Sequence, residues 1–555
     1  MKQRGWSSLD ILLISGDDYF DSPTHGIALI GRVLESAGYR VGIIARPDWK
    51  NPSSLLRLGV PNLFVGISAG AVDSTLNNYT ADLAPRKEDA YAAKGSNPRP
   101  NFATAVYCGA AKSAFSNTPI VLGGVEASTR RFAYFDYLGK KIRRSVLVDT
   151  RADILVHGNG ELTALEIARR LSQNKTLEDI PGTALLSKDK PNGELCELPG
   201  FDEIQSDPSL LIRQTSLLER NLGPFKQTTF IQRYQEGYVI THSPSVQTSD
   251  QLDRFHELPF LRTPHPSYQN DIPASVPVRW SVIAQRGCPG GCSFCALAYH
   301  QGRRVISRSE NSILKEIEQL TRQPDFNGTI TDIGGPTANA YGIEYRDRNR
   351  CENCKRTSCF FPSICDNLKP DQNRYLQLLK TAKALPGIKH LFVASGIRHD
   401  LALKNRRFIE SIAQEFTGGH LKVAPEHTSP LVLKRMRKPG IESFEQFEEL
   451  FLNAGRKVRK EQYVVPYFIS GFPGCTEKAA NDSSRWLQKR NQRLQQVQNF
   501  IPLPGTMAAA MYASELDEAG EPLYIPTPKE RRRQKELLLG KVKNRKPNRH
   551  GRRRT

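Results

Sequence analysis

Arg286-Gly287-Cys288-Pro289-Gly290-Gly291-Cys292-Ser293-Phe294-Cys295 decides the reading of this chain. Three cysteines follow a CxxxCxxC spacing in one loop, with glycines between them and an aromatic before the third. Iron–sulfur clusters are held by Cys thiolates, normally four. Three in one loop leave one iron of a 4Fe-4S cube open, and an open iron can bind a small chelate. A structural zinc site is the competing reading, but zinc prefers CxxC pairs and a closed set of four ligands.

Outward from the loop, the chain alternates strand and helix patterns. Downstream, strand candidates are 278–284, 329–333, 390–394, 421–424, 464–469 and 497–501. Helical stretches lie between them at 310–321, 374–384, 406–415, 443–460 and 477–496. Six βα units predict a partial β/α barrel of six strands, with chemistry at the carboxyl ends of the strands. Upstream, strand candidates 11–14, 41–44, 63–67, 119–122 and 153–156 alternate with helices such as 25–37 and 161–171. This pattern predicts a doubly wound, Rossmann-like domain. The predicted organisation is a Rossmann-like domain over 1–175, a connecting region over 176–275 and a barrel over 276–515. A Cys-rich insertion occupies 345–370, and a basic extension follows over 516–555. The fold class is α/β.

Ten cysteines occur in 555 residues, and seven lie between Cys288 and Cys365. Such clustering in one long chain points to metal rather than to a disulfide framework. The second group, Cys351, Cys354, Cys359 and Cys365, is a candidate metal site for zinc or a second Fe-S cluster. The apolar run Ile11–Ile14 is too short for a signal peptide, and no stretch has the length of a membrane span. The expected location is the cytoplasm, with no membrane partner. The formal net charge is +21. Residues 529–555 contribute thirteen Lys or Arg against two Glu, a candidate surface for RNA or another polyanion.

The three-cysteine loop after the first barrel strand resembles that of the radical S-adenosylmethionine (SAM) superfamily. The whole chain except the last basic stretch is similar to the YgiQ-type radical SAM proteins. Segments that carry the likeness include Ser15-Gly16-Asp17-Asp18-Tyr19, Gly123-Gly124-Val125-Glu126-Ala127-Ser128 and Asp332-Ile333-Gly334-Gly335-Pro336-Thr337. They continue with Ser395-Gly396-Ile397-Arg398, Val423-Ala424-Pro425-Glu426-His427 and Val497-Gln498-Asn499-Phe500-Ile501-Pro502.

The resemblance implies a 4Fe-4S cluster on Cys288, Cys292 and Cys295, with SAM chelated to the open iron. A one-electron reductant, flavodoxin- or ferredoxin-like, would drive SAM cleavage to a 5′-deoxyadenosyl radical acting on an unknown substrate. It implies cofactor contacts from Phe294, Gly334, Gly335, Ser395, Arg398 and Glu426. The fourth strand end offers either Glu426 to the ribose hydroxyls or His427 to act near the substrate. Pro336 stands where many members carry Glu. In such proteins the N-terminal domain is similar to cobalamin-binding domains. The DxHxxG loop that supplies a histidine to cobalt is absent here, because His25 is followed directly by Gly26, so cobalamin is not expected. Two other readings are a methylthiotransferase-like RNA-modifying enzyme and a non-catalytic Fe-S or metal-binding scaffold.

Overall fold

The computed structural model describes residues 1–541. Residues 542–555, which hold much of the basic tail, lie outside the described residues. The N-terminal part is built on strands β1 (Ile11–Ser15), β2 (Val41–Ala45), β3 (Phe64–Ser68), β4 (Ile120–Gly123) and β5 (Ile154–Val156). These five pair in parallel in the order β2-β1-β3-β4-β5. β1 is buried along its whole length. That is why it reads as an unbroken apolar run: a strand covered on both faces has no polar side to alternate.

The stretch expected to be a connecting region, with short β-like pieces at 228–231 and 238–240, extends this sheet. β6 (Thr183–Ser187), β7 (Leu195–Glu197), β8 (Thr229–Tyr234) and β9 (Gly237–Thr241) complete nine strands in the order β2-β1-β3-β4-β5-β6-β9-β8-β7. β6 pairs antiparallel with β5, and β8 with β9, so the sheet is mixed. These strands are short and their flanks are rich in Pro, Ser and Gln. The segment therefore looked irregular, although Phe230, Ile231 and Val239 are buried.

In the second half, β10 (Ser281–Ile283) pairs in parallel with β12 (Asp332–Gly334), and β11 (Thr329–Ile330) with β13 (His390–Leu391). β14 (His420–Glu426), β15 (Tyr463–Ser470) and β16 (Gln498–Asn499) form a separate parallel trio. All six expected strands exist, but as three small sheets rather than one continuous six-strand sheet. A lone backbone bond, Val393 N–H to Phe416 O at 3.0 Å, approaches the gap between the third and fourth. The helix expected over 477–496 ends at Lys489.

One apolar core runs across both halves, joining Leu12, Val65 and Tyr107 to Phe472, Phe500 and Met507. A second fills the space among the later strands and helices around Tyr375, Phe408 and Phe444. The basic extension is partly structured. Pro528–Leu538 is a helix capped by Thr527, which accepts from the Glu530 N–H. Arg531 reaches the Tyr137 hydroxyl at 2.7 Å, and Gln534 donates to Cys475 O at 2.8 Å. Leu537 and Leu538 are buried. Ending the chain at residue 527 is therefore expected to destabilise the protein by several kcal/mol, at about 1.5–3 kcal/mol per buried Leu. A drop in the thermal unfolding midpoint checks this.

Candidate active site

The three-cysteine loop is pinned from several sides. Gly287 (φ +79°) packs against the Arg304 carbonyl, where a Cβ would collide. Cys288 N–H donates to Gly302 O at 3.1 Å, and Ser293 N–H to Met436 O at 3.2 Å. Ala508 N–H donates back to Ser293 O at 2.8 Å. The helix Leu297–Gln301 then carries the chain away.

The three thiols lie within electrostatic reach of one another. Burial, then Cys292 and Cys288, push the Cys295 thiol up to about 12. Burial also raises Cys288, opposed by the Thr337 hydroxyl 3.5 Å away. Arg398 Nη1 is 3.9 Å from Cys292 Sγ. Its guanidinium pairs with Asp400 at 2.7 Å and lies over the Phe360 ring at 4.5 Å. Among the described residues, no three His, Cys, Asp or Glu side chains close on a single-ion site. A cube spreads its thiolates more widely than one zinc ion does. The donor set suits the larger group: three thiols, a guanidinium and a hydroxyl facing them.

The other expected contacts divide. Glu426 stands at the end of β14 in a left-handed conformation (φ +73°), costly for a non-glycine residue. It is buried, 3.8 Å from Lys438 Nζ, and burial raises its carboxyl. It also acts electrostatically on Cys295, so it faces the loop. Arg398, Asp400, Glu426 and Lys438 thus form a charged group beside the thiols. Ala394 and Gly396, at the rim after β13, are exposed.

Ser395 donates its hydroxyl to Asp332, which also accepts from the Ala394 and Ser395 N–H groups at 2.8 and 3.0 Å. Gly334 packs against the Ser395 side chain, and Gly335 against Gln285. Phe294 stands edge-on to Phe472, with ring centroids 6.4 Å apart. His427 turns away from the rim. It is buried with Nε2 3.3 Å from Cys475 Sγ, and Nδ1 accepts from the Ser429 N–H at 2.9 Å. The expected substrate-side histidine is a core histidine. Thr337, Asp400 and Lys438 were not singled out from sequence. Thr337 and Asp400 adjoin motif residues, but Lys438 follows a helix with no motif of its own.

Burial lowers His427 and His300 to about 4 and His399 to about 3. An unfolded histidine titrates near 6.5. Below that value the unfolded state takes up protons that the folded state refuses. Stability should therefore fall as pH drops from about 6.5 toward 4. Unfolding curves at stepped pH check the sign, and His427→Gln should flatten the slope.

Between the carboxyl edge of the first sheet and the cysteine-bearing half lies a cavity of about 540 Å³. Ser68, Gly124 and Gly158 line one side, and Gln285, Leu297 and Pro336 the other. Gly124 (φ +83°) sits against the Ser68 hydroxyl, where a side chain would not fit. Glu161 and Arg286, which pair across the two halves, also border it.

The second cysteine group packs onto the first loop. Cys351 and Cys359 are buried, and Cys354 and Cys365 partly so. Cys359 N–H donates to Pro289 O at 2.9 Å.

Residues 1–281 match the family model for the radical SAM N-terminal domain, and residues 282–487 that of the radical SAM superfamily. A UPF0313 protein of Thermotoga petrophila is 42% identical over 98% of this chain and 98% of its own length. One from Methanocella arvoryzae is 40% identical over 97% and 91%. Among solved structures, the fold is similar to that of a radical SAM methyltransferase, TsrM from Kitasatospora setae, with cobalamin and a [4Fe-4S] cluster bound. The TM-score is 0.51 and the identity 15%, over 90% of this chain and 77% of that one. It is also similar to the cobalamin-dependent radical SAM enzyme OxsB (TM-score 0.51, 11% identity, over 96% of this chain and 56% of that one). The expectation that sets cobalamin aside is thereby overturned, since both fold neighbours hold it. A missing DxHxxG loop removes one histidine ligand to cobalt; it does not remove the cavity.

Proposed function

This chain belongs to the UPF0313 family, the YgiQ-type radical SAM enzymes, and from that premise we propose that it cleaves SAM reductively at a cluster held by Cys288, Cys292 and Cys295. The observation that carries the proposal is the pinned loop, with three thiols within electrostatic reach of one another, Cys288 beside Thr337 and Cys292 beside Arg398. When bound, the 4Fe-4S cluster with SAM would supply one-electron cleavage of the sulfonium and a 5′-deoxyadenosyl radical for hydrogen abstraction. The protein's own residues hold and orient. Arg398 offsets thiolate charge beside Cys292. Glu426, fixed in its left-handed backbone, would present a carboxylate to the ribose hydroxyls, with Lys438 3.8 Å away to steady it. The exposed backbone at Ala394 and Gly396 leaves room for the methionine end. We read the six parallel strands as one open barrel surrounding this chamber.

The test is anaerobic incubation of reduced protein with SAM and chromatography for 5′-deoxyadenosine. Product is expected, and its absence under strong reduction would sink the reading. Glu426→Gln should raise the KM for SAM about tenfold with kcat less affected, a loss of one charged hydrogen bond worth about 1.5 kcal/mol.

A second reading concerns the cavity. Its glycine-lined rim at the carboxyl edge of a parallel sheet is where doubly wound folds take cofactors. We read it as a corrinoid site. Hydroxocobalamin should stay with the protein through desalting, and Val125→Trp, which fills the cavity, should abolish retention. Equal loss from the wild type would refute this.

A further inference from the structure

We propose that Cys351, Cys354, Cys359 and Cys365 hold a second iron–sulfur cluster that passes electrons to the group at Cys288, Cys292 and Cys295. The inference goes beyond SAM cleavage and begins with a buried charge. Arg303 is buried, and the Glu219 carboxylate that acts on it lies beyond ion-pair distance. Its Nη2 instead points at Cys359 Sγ from 3.3 Å, while Nη1 binds Arg356 O at 2.6 Å. A buried guanidinium is costly unless an anion faces it. A neutral thiol is a weak acceptor; a thiolate would answer the charge.

Two of the other sulfurs also accept hydrogen bonds. Asn367 Nδ2, itself buried, donates to Cys351 Sγ at 2.9 Å, and the Arg356 N–H to Cys354 Sγ at 3.4 Å. Arg356 spends its guanidinium on the carbonyls of Ser358, Phe361 and Ser363, which shapes the loop around the sulfurs. Cys365 differs: at the outer edge its thiol donates to the Asp366 carboxylate at 3.8 Å. Cys351 is within electrostatic reach of the other three. A cation bound among the four sulfurs would hold them together as thiolates.

One feature favours iron–sulfur over zinc: the spacing x2, x4, x5 gives one CxxC pair rather than the two usual for zinc. Position supplies the function. Cys359 N–H bonds to the carbonyl of Pro289, the residue next to Cys288. Gly291 lies under the Thr357 carbonyl, and Phe360 fills the space between Gly290 and Arg398. The two loops share one packed wall. In the relay a one-electron carrier of the flavodoxin or ferredoxin class is oxidised, and the second cluster is reduced and then reoxidised by the first. No bond forms or breaks in the transfer.

Two full-length variants test this. The C288S/C292S/C295S chain, reconstituted anaerobically with iron and sulfide, should still hold about four irons. It should also give a paramagnetic signal on dithionite reduction. Because it lacks the first cluster, this result is independent of SAM cleavage. Stoichiometric zinc in place of iron, or neither metal in a chain with native circular dichroism, would overturn the assignment. If that variant does not fold, C351S/C354S decides the point. Its iron should fall from about eight to about four per chain, and unchanged iron would refute the site. In C351S/C354S, dithionite should still reduce the remaining cluster, while reduction by flavodoxin should slow at least about tenfold. An unchanged flavodoxin rate would overturn the relay.

Discussion

Cys288→Ala is expected to abolish the broad absorbance near about 400 nm that an Fe-S chromophore gives, leaving only what the second cysteine group contributes. The same variant should form no detectable 5′-deoxyadenosine. Cys288 is the first thiol of a loop with three, so no spare ligand replaces it. Removing it strips one corner of the cube and opens a second iron to solvent. The fold should survive, because the loop is held by its backbone: the 288 N–H still reaches Gly302 O, and Ser293 still bonds Met436 O. Iron analysis, the visible spectrum and chromatography are read on one sample with unfolding as the control. Undiminished 5′-deoxyadenosine from Cys288→Ala would remove the assignment of the loop.

The second large effect is on stability. Glu316→Ala is expected to cost about 3–5 kcal/mol, read as a shift in the urea midpoint. Glu316 is buried and accepts from two arginines, Arg262 and Arg308, one through each carboxylate oxygen. Arg262 comes from the segment between the two halves, and Arg308 from just before the helix Glu310–Thr321. Both guanidiniums are sealed from water, and among the described residues Arg308 has only Asp253, at 3.9 Å, as another carboxylate in ion-pair distance. Deleting the carboxylate leaves two buried cations short of charge, which costs more than the ion pairs contribute. Glu316→Gln keeps the volume and should recover only a minority of the loss. If alanine costs under about 1 kcal/mol, in the range of exposed ion pairs, the network is not carrying the charge as described.

Much of the candidate site was legible because its chemistry is local in sequence. The CxxxCxxC spacing put three thiols in one loop, whatever surrounds them. Glu426 and Arg398 were legible because each closes a strand pattern, and strand ends are where a β/α fold exposes groups. His427 was misread for a related reason. Period-two alternation says that neighbours point opposite ways, but not which of Glu426 and His427 faces the chamber. Packing against Cys475 and Ser429 decided that. Lys438 reaches the site from outside its motifs, and only the folded chain brings it in.

The sequence by itself determined the element order, the α/β class and the clustering of the cysteines, because periodicity and ligand spacing are properties of short stretches. Tertiary structure alone decided that residues 183–241 complete a nine-stranded sheet and that Arg303, with no carboxylate in ion-pair distance among the described residues, turns to Cys359. It also set the 351–365 loop against Pro289. These depend on contacts between segments far apart in the chain. There, shape and the need to compensate buried charge choose the partner, and no local pattern records that choice.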